Sequence, residues 1–412
     1  MERCLLVGFA RAGRSFAPRI EGAVFVRRLR PLRALAAGSA AVVAALILGG
    51  AAAEAGSLQW KLVGSPNTSS TQSDGLISMS CVSTSFCMSV GYYNNGTVDQ
   101  TLIAKRNGSS WSRASSYDSS TTQNNSLNGV SCVSSSFCMA VGDYFNGTNF
   151  QTLIEKWNGG IWSPVGSPNS SSTQDNFLYG VSCKSTSFCM AGGEYSNGTN
   201  YQTLIEKWSG SAWSQVGSPN SSSTQDNFLG GVSCVSTSFC IAAGGYKNGT
   251  NLQTLTERWS GSSWSLVSSP NTSSTQLNAL DGVSCVSSSF CMAAGNYSNG
   301  SNDQTLIEKW NGSSWKLVTS PNSSTTLNND LGGVSCVSTG FCMATGRGRN
   351  ATNDQTLIEK WNGSSWKVVS SPNTSSTQDN DLFGVSCVST SFCMASGYYF
   401  NGTDLQTLIE KW

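Results

Sequence analysis

Acid–base or nucleophilic chemistry has few side chains to draw on here, because the 412 residues include no histidine. A Ser-His-Asp triad, a Cys-His pair, a histidine base and histidine metal ligation are thereby excluded. What remains is a small set of acids and arginines: Asp143, Glu194 and Asp281, and the stretch holding Arg347, Arg349 and Asp354. Asp143 or Glu194 facing that stretch would supply paired carboxylates of the kind that cleave glycosidic bonds, given suitable spacing. No nucleophile motif, metal-ligand cluster or phosphate loop accompanies them. An enzyme, a glycoside hydrolase or lyase, is therefore the least favoured reading, and no cofactor or metal is expected.

The cysteines are the other reactive groups, and their spacing exposes the frame that must position everything else. Cys81, Cys132, Cys183, Cys234, Cys285, Cys336 and Cys387 recur every 51 residues, and Cys87, Cys138, Cys189, Cys240, Cys291, Cys342 and Cys393 keep the same step. Such a period signals a solenoid, a propeller or an array. Residues 1–55 stand apart: eight arginines precede an apolar run over 34–53 and the small-x-small site Ala53-Glu54-Ala55. That order predicts a secretory signal cleaved after Ala55, with an uncleaved membrane anchor over 34–53 as the alternative. The mature part, 56–412, has 357 residues, seven times 51. Cys4, the fifteenth cysteine, lies in the leader. Without the leader, 16 basic face 20 acidic residues and no basic stripe survives, which argues against a nucleic-acid partner. The expectation is a monomer that is secreted or held at the cell surface, meeting a membrane only if the leader is retained.

In the second unit, LNGVSC (127–132) and FCMAVGDY (137–144) read as a hairpin about Ser134-Ser135-Ser136. QTLIEKW (151–157) follows and, after Asn158-Gly159, a fourth strand from Trp162. Asn-Gly between apolar runs predicts type I′ turns. Adjacent apolar residues such as Leu153-Ile154 require both sheet faces to be covered, as between radially stacked sheets. The mature chain opens on a fourth-strand segment, Trp60 to Val63, and ends at Trp412 after a third strand, so the first piece completes the last unit. Closing the ring in this way covers the open edge. The fold class is therefore all-β: a seven-bladed β-propeller of four-stranded antiparallel blades, with a superhelical β-array as the alternative. In the hairpin Cys132 opposes Cys138 and Val133 opposes Phe137, which predicts one cross-strand disulfide per unit. Zinc would want four ligands where each pair offers two. The two tryptophan series, Trp60 to Trp366 and Trp157 to Trp412, read as packing wedges, with a sugar platform as the alternative. The repeated Glu155-Lys156 reads as a cross-strand pairing device.

The stretches SCVSSSFCMAVG (131–142) and LIEKWNGSSWKLVTSPN (306–322) resemble the SCxSxxxCxAVG and LxExWNGxxWxxVxSPN units of a family of secreted bacterial repeat proteins. The resemblance covers the whole mature chain and implies export and a propeller-like fold, with no activity to carry over. The first unit departs from it, with Ala104 for Glu, Arg106 for Trp and Tyr117-Asp118 for Pro-Asn.

The copies differ at the blade end that holds the turns after strands two and four. One position reads Ile77, Asn128, Tyr179, Gly230, Asp281, Gly332, Phe383, and a second reads Tyr92, Asp143, Glu194, Gly245, Asn296, Arg347, Tyr398. A third includes Phe145, Lys247 and Arg349, and a fourth runs Asp99, Phe150, Tyr201, Leu252, Asp303, Asp354, Leu405. Beside the second sits a near-constant tyrosine: Tyr93, Tyr144, Tyr195, Tyr246, Tyr297 and Tyr399, with Gly348 in the sixth unit. Acids, bases and aromatics varying on a repeated frame predict a binding rim at the channel mouth, formed by the strand 2–3 and 4–1 loops. Drift at exposed loop tips is the competing account. The candidate ligand residues are the six tyrosines with Tyr179, Asp281, Asp143, Glu194, Arg347 and Arg349. Neutral Ser, Thr, Asn and Gln groups beside aromatic faces suit a carbohydrate, and a protein is the alternative ligand. The function expected is a recognition module, with a passive envelope or matrix scaffold as the alternative.

Overall fold

The computed structural model describes residues 58–412. The signal and anchor expectations for 1–55, and Cys4, lie outside the described residues. Every unit folds into four antiparallel strands in simple up-and-down order. Blade 2 is representative, with strands Asn125–Ser134, Phe137–Phe145, Phe150–Trp157 and Trp162–Val165 from the channel outwards. Blades are numbered from the one whose inner strand begins at Asp74; inner strands of blades 2 to 7 begin at Asn125, Asn176, Asn227, Asn278, Asn329 and Asn380. The outer strand of blade 7 is Lys61–Val63, which pairs with the third strand in the register Lys61 to Lys411 and Val63 to Ile409. The chain therefore forms a seven-bladed propeller whose two ends share one sheet.

The core lies between the blades, as the doubly apolar strands require. Phe86, Met88, Val90 and Ile103 of blade 1 pack on Leu127, Val130, Ala140, Leu153 and Trp157 of blade 2, and the same set recurs around the ring. Trp157 and Trp162 are buried with ring centroids 5.8 Å apart, and Trp157 Nε1 donates to the Ser135 carbonyl at 2.9 Å. The tryptophans are packing wedges. In blade 1, Arg106 stands where the other blades carry that tryptophan; its Nε donates to Thr84 O at 3.2 Å, the carbonyl equivalent to that of Ser135. The buried guanidinium takes over the indole's hydrogen bond.

A second ring of bonds runs round the channel. The backbone N–H of Cys132 donates to Ser80 Oγ of the preceding blade at 2.9 Å, and the same bond recurs at every junction, including Cys81 to Ser386. All seven expected disulfides are present, with Cα atoms 4.0 Å apart.

Three local expectations are corrected. Val133 does not oppose Phe137: the register shifts after Cys132, so Ser134 pairs with Phe137 and the extra residue bulges. The turn after the second strand is centred on Gly147-Thr148, closed by Asn146 N donating to Asn149 O at 3.0 Å, with only the glycine at positive φ (104°). A type I′ turn needs positive φ at both central residues, so this turn is not of that type. The Asn146 side chain instead caps the turn, accepting from Thr148 N and Asn149 N, both at 2.9 Å.

Glu155 and Lys156 do not pair, because neighbours on a strand point to opposite faces. Lys156 Nζ lies between Phe137 and Trp208 of the next blade, 5.5 and 5.4 Å from the ring centroids. Glu155 is fully buried and accepts from Ser116 Oγ at 2.8 Å on the connection leaving the preceding blade. Glu206, Glu257, Glu308, Glu359 and Glu410 repeat this latch with Ser167, Ser218, Ser269, Ser320 and Ser371. Burial pushes those five carboxyls up to about 8. Glu155 rises only to about 7, burial again being the main cause, because the Tyr117 N–H adds a second donor at 3.1 Å that proline elsewhere cannot supply.

Candidate functional site

The varying side chains stand at the ends of the strands, not on the loop tips, whose Asn-Gly-Thr-like sequences stay nearly constant. The bulge in the inner strand sets them: Leu76 and its equivalents turn into the inter-blade core, while the residues on either side of them share the opposite face. This adds a variable series that the sequence reading missed, Gly75, Ser126, Phe177, Phe228, Ala279, Asp330 and Asp381. Each member lies directly opposite a residue of the second series, as Ser126 to Asp143, Phe177 to Glu194, Asp330 to Arg347 and Asp381 to Tyr398. The same divergence between copies that marked the other positions was its available signal.

These pairs divide the channel mouth into unlike sectors. Across blades 2 and 3, Phe145, Phe150, Phe177, Tyr179 and Tyr201 are all half-buried. Phe150 is 5.2 Å from Phe145 and 5.3 Å from Phe177 between centroids, and Phe177 stacks on Tyr179 at 6.1 Å with 7° between planes. Beneath them Tyr179 donates its hydroxyl to Glu194 Oε1 at 2.8 Å. Burial raises Glu194 to about 8 and the Tyr179 phenol well above its ordinary value. Asp143 accepts from Asn128 Nδ2 at 3.0 Å and Ser126 Oγ at 3.2 Å.

Across blades 5 to 7 the sector is acidic. Arg347 Nε contacts Asp330 Oδ2 at 2.8 Å, and its Nη1 lies 3.5 Å from Asp354 and 3.9 Å from Asp381. Burial works against the charge of Arg347, but Asp330 and Asp381 outweigh it and hold the guanidinium above its ordinary value. Arg349 reaches Asp354 at 3.8 Å. Burial pushes Asp281 and Asp381 up to about 7. Between blades 7 and 1 the mouth is apolar, with Ile77, Tyr92, Phe383 and Tyr398 packed together and buried.

The remaining candidates, Tyr93, Tyr144, Tyr195, Tyr246, Tyr297 and Tyr399, are half-buried and pack on the inter-blade clusters. As strand neighbours of the second series they point to the opposite sheet face. Asp143 and Glu194 lie in the aromatic sector while Arg347 and Arg349 lie among the acids of blades 5 to 7, so the structure separates these candidates into two groups. Among the described residues no three His, Cys, Asp or Glu side chains are placed to hold a metal ion.

Fold and site together define a disulfide-bearing seven-bladed propeller with an asymmetric mouth. No protein-family model matches the chain, and no curated protein matches it. Its fold is similar to that of a protein of unknown function from Dyadobacter fermentans, with 7% identity, a TM-score of 0.50, and coverage of 86% of this chain and 97% of that one. A polysaccharide lyase, an ulvan lyase of family PL25, is similar over 78% of this chain and 91% of its own at 10% identity and a TM-score of 0.49. Sqt1 of Chaetomium thermophilum, solved bound to the N-terminus of ribosomal protein L10, is similar over 81% and 87% at 9% identity and a TM-score of 0.47. At such identities the likeness is one of fold alone.

Proposed function

We propose that the protein is a secreted or cell-surface recognition module that binds carbohydrate at the channel mouth. Export is supported by the leader, by the resemblance to secreted repeat proteins and by seven disulfides, which persist in oxidising surroundings. The observation that carries the reading is the half-buried aromatic array Phe145, Phe150, Phe177, Tyr179 and Tyr201, which occurs once on an otherwise repeated frame. Such faces offer large apolar area at low entropic cost, and Glu194, Asp143 and Asn128 supply hydrogen bonds beside them. Arg347 is already committed to Asp330, which disfavours an acidic sugar.

The test is a glycan array on the purified protein, followed by titration of a responding sugar against wild type and Phe177→Ala. Affinity is expected to fall about tenfold in the variant, the effect of truncating one anchoring aromatic ring. Full binding by Phe177→Ala, or no response from any glycan, would reject the aromatic platform.

A further inference from the structure

The acids of blades 5 to 7 outnumber the cations that could neutralise them. Asp281, Asp303, Asp330, Asp354 and Asp381 converge on Arg347 and Arg349. The arginine does not share itself evenly: its 2.8 Å contact is with Asp330, while Asp354 and Asp381 stand off at 3.5 and 3.9 Å. Asp381 is 3% exposed; Tyr398 opposite it is one donor to its carboxyl, yet Oδ1 is left without a hydrogen-bond partner of normal geometry. A buried carboxylate oxygen left in that state costs free energy that a donor would recover. Asp281 is half-buried on an inner strand and makes no hydrogen bond or ion pair with another described residue. Gly332, at the matching position of the next blade, puts no side chain over it. A metal ion does not fit the arrangement, since no three of these carboxylates are placed to hold one.

We infer that this sector seats a positively charged nitrogen group, an ammonium carried by the ligand, between Asp281 and the Asp354–Asp381 side of Arg347. The inference rests on the recognition reading above and adds what the ligand must carry. An ammonium supplies several N–H donors and one compact charge, matching carboxylates that outnumber the donors around them and are too dispersed for a metal. The sugar ring would lie on the aromatic sector and its amine would reach the acids across the mouth.

The experiment is calorimetric titration of the purified protein, near neutral pH and at low salt, with a glucosamine tetramer, its N-acetylated counterpart and spermine. Wild type is compared with Asp281→Asn, a near-isosteric change at a half-buried position, and with Asp381→Asn. The glucosamine tetramer is expected to bind about tenfold more tightly than the N-acetylated one, the scale of one charge-assisted hydrogen bond. That advantage should vanish in Asp281→Asn and shrink as salt rises. Equal affinity for the two tetramers would overturn the ammonium assignment and leave the aromatic platform standing. Binding of spermine as tight as that of either tetramer, with no binding of the N-acetylated sugar, would support the ammonium assignment while rejecting the platform. No binding of any probe would overturn both.

Discussion

Replacing Glu257 by Gln tests the physical account of how the blades are joined. Glu257 is fully buried, the Ser218 hydroxyl lies 2.9 and 3.0 Å from its two oxygens, and burial raises it to about 8. In the unfolded chain the same group titrates near 4.5. Between those values the folded protein holds a proton that the unfolded chain has released, so stability is full below about pH 4.5 and falls as pH rises towards 8. Each such carboxyl contributes a slope of roughly 1.4 kcal/mol per pH unit in that window. Glutamine resembles the protonated form and does not titrate. Glu257→Gln should therefore flatten the stability curve by one proton's worth and become more stable than wild type, by several kcal/mol, as the pH approaches about 8. Guanidinium unfolding at half-unit steps across the range from about pH 5 to about pH 8.5 measures both quantities. Parallel curves, or a variant less stable than wild type at the alkaline end, would show that the latch works as an ionised carboxylate and refute the reasoning.

Trp60→Ala should cost about 3–5 kcal/mol, because Trp60 is 4% exposed and packs 5.9 Å from Trp412 where the two ends of the chain meet. An unchanged unfolding midpoint would contradict closure through that strand. Removing one bridge as the pair Cys132→Ser and Cys138→Ser should cost roughly 2 kcal/mol from loop entropy while scattering profiles still show a closed ring. Ala351 occupies the positive-φ position (98°) that glycine fills in the equivalent turns, so Ala351→Gly should raise stability by about 1 kcal/mol. A loss of stability there would mean the local strain is not what it is taken to be.

The architecture was legible because period, cysteine spacing and chain phase all reported the same object. The fourth-strand segment Trp60 to Val63, complementing the third strand before Trp412, already implied the closed ring. The latch was not legible: Glu-Lys in sequence looks like a cross-strand pairing device, whereas the glutamate meets a serine 39 residues earlier that is brought against it from another blade. The turn type was misjudged because Asn-Gly suggested two positive φ values, while the asparagine used its side chain as a cap instead. At the mouth, divergence between copies located Arg347, Glu194 and Tyr179, but Asp330 and Asp381 passed unnoticed until pairing placed them opposite Arg347 and Tyr398. Charge neutralisation is a property of neighbours across strands and blades, which spacing along one chain does not display.

Ala104 gives the ring an uneven set of joints. Where blade 7 meets blade 1, Ser65 faces no glutamate and keeps only its bond to Thr407 Oγ1, so the junction closed by strand Lys61–Val63 lacks the buried glutamate that the other six carry. Alkaline conditions would ionise the buried glutamate at each of the six other seams and find none at this one. The joint closed by the short strand Lys61–Val63 and the joints burdened by a buried glutamate are thus kept apart, and a propeller forced open by base would part at one of the latter.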